Sequence, residues 1–222
     1  AALAFGTGGY ESLALDVSGQ DVILDEIHAY TDVSRAFMLA LVQVLVKLEC
    51  QVHIGSATFP TVLREKLLEA LGGAERVHEE RLTDSELESF NRHCVHKLSG
   101  EDAADECLAG LVANGMRVLL VSNRVARAQE RYARLRESLP EASALLLHSR
   151  FRRTDRAALE SRIGELEQKT GPCVVCATQV VEVSLDVSFD AMITDAAPLD
   201  ALVQRFGRVN RRRSRETIGT LK

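Results

Sequence analysis

Residues 173–213 read CVVCATQVVEVSLDVSFDAMITDAAPLDALVQRFGRVNRRR. Val174 to Ala177 is a short apolar run that stops at Thr178-Gln179, and a polar segment with Glu182, Ser184 and Asp186 follows. Ala191 to Thr194 is a second apolar run, stopped by Asp195. Short apolar runs with polar ends read as buried parallel strands. Pro198 then starts a short helix that carries Gln204 and Arg205 and breaks at Gly207, with Arg208 and Arg211 directly after. Guanidinium groups present fixed, always-charged forks to phosphate oxygens, and a glycine lets the backbone deliver them at close range. A solvated basic tail accounts for Arg212, Arg213 and Arg215, but not for the spacing Gln204-x-x-Gly207-Arg208-x-x-Arg211. That spacing points to a site that senses phosphate.

The same strand pattern recurs upstream. Val22 to Leu24 ends in Asp25-Glu26, Val52 to Gly55 in Ser56-x-Thr58, Val118 to Val121 in Ser122-Asn123, and Ala144 to Leu147 in His148-Ser149-Arg150. Helical spacing fills the intervals, over 33–48, 60–72, 102–113, 125–138 and 154–168. The βαβα alternation predicts an α/β fold with parallel sheets. Ligands of open parallel sheets bind beyond the carboxyl ends of strands. Six strands ending in small polar or acidic residues therefore imply two lined edges. Thr83 to Asn91 is polar and marks a boundary, giving parts 1–83 and 92–222 joined by a linker, 84–91. Arg92 to Leu98 reads as extended, Ile218 to Leu221 as the start of another strand, and the residues before Gln20 as a loop. Gly6-Thr7-Gly8-Gly9 has no lysine after it, and Gly-Lys occurs nowhere in the chain, so there is no Walker A loop.

With 46% apolar and 27% charged residues, a packed core is expected rather than disorder. The net charge of −5 excludes a wholly basic nucleic-acid wrapper but allows a local basic groove. No apolar run is long enough to span a membrane, and the N-terminal residues do not read as a signal peptide. Five cysteines, an odd number at low density, suit a reducing cytoplasm. Cys173 and Cys176 lie three apart on a strand, so they point to opposite faces and read as core residues.

Asp25-Glu26, at the end of a buried strand, can hold Mg²⁺ through water and orient or deprotonate an attacking water. Ser56 and Thr58, at the next strand end, are placed to bond those carboxylates or His28, or to cap the helix that follows. Ser122, Asn123, His148, Ser149, Arg150, Thr178 and Gln179 suit a nucleic-acid backbone, which is held by hydroxyls, amides and arginines without base reading. Arg124, Arg127, Arg131, Arg134 and Arg136 read as a largely solvated helix face.

Taken together, DEIH at 25–28, SAT at 56–58, ATQVVEVSLD at 177–186 and QRFGRVNR at 204–211 resemble motifs II, III, V and VI of superfamily 2 helicases, in that order. Asp25 to Tyr30, Thr178 to Asp186 and Pro198-Leu199-Asp200 resemble more specifically the CRISPR-associated helicase–nuclease of type I interference systems. The resemblance covers about residues 20–213. It implies RecA-like parallel sheets: the later part of a first helicase domain, then most of the second. It implies ATP and Mg²⁺ as cofactors, with Asp25 and Glu26 serving metal and water. His28, Ser56, Thr58 and Gln204 would couple hydrolysis to movement. Asp186 and Gln204 would lie by the nucleotide, and Arg208 and Arg211 would contact its phosphates as arginine fingers. The implied activity is ATP-driven 3′-to-5′ unwinding of foreign DNA, with single-stranded DNA and the type I surveillance complex as partners, in the cytoplasm. The chain has no Walker A loop and no His-Asp pair for a metal nuclease domain, so it is expected to be a fragment, inactive alone. A piece of another DEAH-type, RNA-directed helicase and a non-catalytic nucleic-acid-binding or interaction module are the alternatives.

Overall fold

The computed structural model describes residues 2–27, 30, 32–56, 59–89, 93–168, 171–184 and 186–212. The expectations for His28, Thr58, Arg213, Arg215 and the strand at 218–221 lie outside these residues. The chain divides into two compact units, Ala1–Arg81 and Leu82–Lys222.

In unit 1, β1 (Asp21–Leu24) pairs parallel with β2 (Gln51–Ile54), in register from Asp21 opposite Gln51 to Leu24 opposite Ile54. The connection is α3 (Asp32–Lys47), and α4 (Thr61–Ala70) follows β2. Ile27, Met38, Val42, Leu63, Leu67 and Ala70 form the core, against which Leu24, Val52 and Ile54 pack. Strand residues alternate between faces, and among the described residues only one face of this pair is covered. On the other, Ile23 is 74% exposed. Before β1 the chain is not the expected loop but two helices, α1 (Ala2–Phe5) and α2 (Tyr10–Val17). Gly9, in the left-handed region at φ 86°, starts the second one, a turn that any residue with a Cβ disfavours. The Leu- and Ala-containing run after it is helix-forming despite its short length.

Unit 2 opens with α5 (Asp84–Ser89), inside the stretch expected to be linker. A reciprocal cap forms it. The Thr83 N–H donates to Glu86 Oε2 at 2.8 Å, and the Glu86 N–H donates to Thr83 Oγ1 at 3.3 Å. Such a capping box needs no apolar face, so a polar stretch can still turn helical. Residues 93–98 form no strand, contrary to the extended reading. Four strands, β3 (Arg117–Val121), β4 (Ser143–Leu147), β5 (Cys173–Ala177) and β6 (Ala191–Thr194), make one parallel sheet in the order β4-β5-β3-β6. Its helices are α6 (Glu101–Ala113), α7 (Val125–Ser138) and α8 (Arg153–Gln168), then the short α9 (Val180–Ser184) and α10 (Leu199–Phe206).

Both faces of this sheet are packed. Leu119, Val121, Leu147, Val175 and Ile163 build one core, and Leu108, Val118, Leu120, Val174 and Cys176 the other. Every residue of β5 is buried. Burial pushes the Cys176 thiol up to about 12, so it stays a neutral core side chain. In hydrogen exchange, the central amides of β3 and β5 should exchange only by opening of the whole unit. Those of β1 and β2, with one face uncovered, should exchange much faster. Equal protection of the two sheets would contradict this account.

Candidate active site

The end of β1 in unit 1 places Asp25 and Glu26 beside Gly55, whose N–H donates to the Leu24 carbonyl at 2.9 Å. Asp25 Oδ1 accepts the Glu26 N–H at 2.8 Å. Glu26 has φ 55°, in the left-handed region, which costs a residue with a side chain about 1–3 kcal/mol. Strain of this kind sits where a strand end must aim a side chain. A Cβ on Gly55 would lie 3.0 Å from Asp25 Oδ1, so a larger residue there would press on the carboxylate. Mg²⁺ keeps several waters and takes one or two carboxylates beside phosphate oxygens. Two exposed carboxylates at an open strand end fit that demand. Ser56 follows directly on the neighbouring strand end, half-buried.

In unit 2 the strand ends are joined through one side chain that the sequence reading did not single out. Arg205, on α10, is 1% exposed. Its Nε donates to Glu182 Oε1 at 2.8 Å, Nη1 to Thr194 Oγ1 at 2.8 Å and to the Asp195 carbonyl at 3.2 Å, and Nη2 to Asn123 Oδ1 at 3.0 Å. The ends of β3 and β6 and the helix after β5 thus share a single guanidinium. A clue lay in the sequence: an arginine one residue after Gln204 on a short amphipathic helix, with Glu182 upstream. Only the fold shows that the two meet.

Arg208 is also buried, and it donates from Nε to the Val181 carbonyl at 2.8 Å and from Nη2 to the Glu182 carbonyl at 2.5 Å. These are end carbonyls of the five-residue α9, which lack partners within so short a helix. Arg211 is partly exposed and pairs through Nε with Asp186 Oδ1 at 3.0 Å. The backbone between them is held as well. The Phe189 N–H donates to the Arg208 carbonyl at 2.9 Å, the Asn210 N–H to the Phe189 carbonyl at 3.0 Å, and the Arg211 N–H to Ser188 Oγ at 2.9 Å. His93 Nε2 reaches the Val209 carbonyl at 3.0 Å. The Gln204 Nε2 atom is buried with no hydrogen-bond partner among the described residues.

Of the residues expected to hold nucleic acid, Ser122, His148 and Thr178 are buried, and Asn123, Ser149, Arg150 and Gln179 are exposed. Ser122 Oγ accepts from Arg131 Nη1 at 3.0 Å. His148 stacks on Phe151 with ring centroids 4.4 Å apart, and burial lowers its pKa, which keeps it neutral. Gln179 Nε2 donates to the Asn123 carbonyl at 3.0 Å.

The arginines of α7 are not simply a solvated face. Arg131 is 5% exposed and pairs with both Glu101 at 2.8 Å and Asp195 at 3.0 Å. Arg127 and Arg134 also reach Glu101. Asp195 Oδ2 accepts the Asn123 N–H at 3.0 Å, so the ion-pair network of α6 and α7 runs into the strand-end cluster. Position 131 faces inward because it lies on the buried stripe of α7 with Ala128 and Leu135, where a charge persists only if paired.

Residues 114–214 match the family model of the C-terminal region of CRISPR-associated nuclease/helicase Cas3. The Cas3 nuclease/helicase of Streptococcus thermophilus is 29% identical over 226 residues, which cover 89% of this chain and 24% of that protein. The crystal structure of T. fusca Cas3 with AMPPNP superposes with a TM-score of 0.71 at 25% identity, over 92% of this chain and 28% of that one. A CRISPR RNA-guided surveillance complex in a pre-nicking state contains a chain of the same fold, with a TM-score of 0.66 at 24% identity, over 90% of this chain and 30% of that one. The chain spans about a quarter of the length of the curated relatives it matches.

The Arg131 guanidinium, donating to Glu101, holds that carboxyl at about 2, well below its ordinary 4.5. A carboxylate depressed in the folded state adds stability above its unfolded pKa and loses it as pH falls toward the folded value. Glu101→Gln should therefore lower unfolding stability at pH 7. It should also flatten the loss of stability between about pH 4.5 and 2, as followed by urea melts. An unchanged acid limb would show that the network contributes nothing.

Proposed function

This chain is a relative of the CRISPR-associated nuclease/helicase Cas3 proteins, and on that premise we propose that it forms part of an ATP-dependent 3′-to-5′ DNA helicase of type I CRISPR interference. One observation carries the reading. The segment 178–186 and the segment 204–211 are bolted together through Arg205–Glu182 and Arg208, at the carboxyl edge of a parallel sheet. A nucleotide-driven motor needs its phosphate-sensing and strand-holding residues on such a shared edge, because movement of one must be felt by the other.

In this reading Asp25 and Glu26 hold Mg²⁺ and orient the attacking water. The metal, when bound, neutralises charge on the phosphate oxygens. Glu26 takes the proton of that water. Asp186 and Gln204 line the nucleotide. Arg208 and Arg211 stabilise the charge that grows on the transferred phosphoryl group. Before that, Arg211 must leave Asp186. That exposed pair is weak, so the exchange costs little. Ser149, Arg150 and Gln179 offer exposed donors and acceptors to a single-stranded DNA backbone. The surveillance complex is the partner that would deliver that strand. Without a Gly-Lys loop, the chain by itself should turn over no ATP. That absence also favours a second reading, a module that binds nucleic acid without hydrolysis.

The full-length protein separates these readings. Arg211→Lys keeps the charge but loses the planar fork, so turnover should fall toward the roughly 10³-fold loss of a missing arginine finger. DNA affinity should stay within about twofold. Arg208→Lys should cost turnover and stability together, because it also frees two buried carbonyls. Arg212→Lys should change neither. Equal losses at 208, 211 and 212 in steady-state ATPase assays would replace two fingers with a diffuse basic patch.

A further inference from the structure

The strand edge and the phosphate-sensing loop meet at one buried group. Asn123 stands at the end of β3 and is exposed, yet its side chain is engaged internally on both sides. Its Nδ2 donates to the Ala196 carbonyl at 2.7 Å and its Oδ1 accepts from Arg205 at 3.0 Å. Its backbone carbonyl accepts from Gln179 at 3.0 Å. Its amide side chain therefore has little left to offer a phosphate oxygen. Arg205, one residue after Gln204 and three before Arg208, has its other N–H groups on Glu182, Thr194 and the Asp195 carbonyl.

We propose that Arg205 is a positioning residue that carries contact of a DNA strand at the Asn123–Gln179 edge to Arg208 and Arg211, with Asn123 as its receiver rather than a DNA ligand. This rests on the helicase reading above. A strand that draws on Gln179 shifts the Asn123 carbonyl. Asn123 in turn has a guanidinium at its Oδ1. That guanidinium is rigid and planar and sits where water cannot screen it, so its hydrogen bonds couple strongly. A displacement at one end reorients α10, and the loop at 207–211 begins where α10 ends.

The test is ATP turnover of the full-length protein against single-stranded oligonucleotide concentration. Arg205→Ala would leave Glu182 unpaired in the interior and risks unfolding, so the neighbours are changed instead. Asn123→Ala should lower the turnover reached at saturating DNA by about fivefold or more, the scale of a typical coupling between sites. The half-saturating DNA concentration should stay within about twofold. Thr194→Val removes one Arg205 acceptor and keeps a strand-forming side chain. It should show the same loss of stimulation with DNA-free turnover unchanged, and Thr194→Ser should restore stimulation. If Asn123→Ala instead raises the half-saturating DNA concentration and recovers full turnover at saturation, Asn123 is a DNA ligand and the proposal fails. Full stimulation in Thr194→Val also overturns it. A failure of the helicase reading shows separately, as Arg211→Lys without effect on turnover.

Discussion

A guanidinium cannot be taken out of water unless its N–H groups find acceptors, and much of unit 2 is arranged around that constraint at Arg205. Its acceptors come from the ends of β3 and β6 and from the helix after β5. No apolar residue could join two strand ends and a helix in this way, because dispersion contacts have no fixed direction. The planar fork sets both the distance and the angle at each end. The result is a carboxyl edge whose β3, β6 and α9 segments are tied through one side chain.

The second buried arginine, Arg131, extends the same logic. It lies between Glu101 and Asp195, and Asp195 also accepts the Asn123 N–H. Arg131 is thus paired with Glu101 and Asp195, and Arg205 with Glu182. Removing one member would leave another unpaired, which costs more than the pair ever contributed. The sheet beneath tolerates this polar layer because its two faces are already closed by apolar cores. Unit 1 has no such redundancy. Its two strands carry Asp25 and Glu26 at an end supported by one helical layer, with Ile23 open on the other side.

The two arginines of the 207–211 loop rest on partners from the same neighbouring segment. Arg208 holds backbone carbonyls at 181 and 182, whereas Arg211 holds the exposed carboxylate of Asp186. Their environments differ: Arg208 is buried on carbonyls, whereas Arg211 sits on an exposed carboxylate, a pair that solvent weakens. Gln204, with an amide nitrogen buried and unpartnered among the described residues, lies near the end of α10.

Six strands, their parallel class and their polar ends are legible in the sequence alone. Apolar runs of four or five residues, spaced by helical patterns, leave few other folds. Strand ends and the Gln204–Arg211 spacing are local features and can be read directly, but the burial of Ser122, His148 and Thr178 at those ends cannot. The sequence did not reveal the helices at 2–17 and 84–89. The first follows from a left-handed glycine turn and the second from a side-chain cap, and neither carries an apolar stripe long enough to read. Nor could it separate Arg131 and Arg205 from their solvated neighbours, since an arginine looks the same in sequence whether it faces water or a carboxylate. The folded chain settles that by bringing Glu182 to Arg205 across 23 residues and Asp195 to Arg131 across 64. Charge burial depends on partners distant in the chain, and those exist only once the sheet has formed.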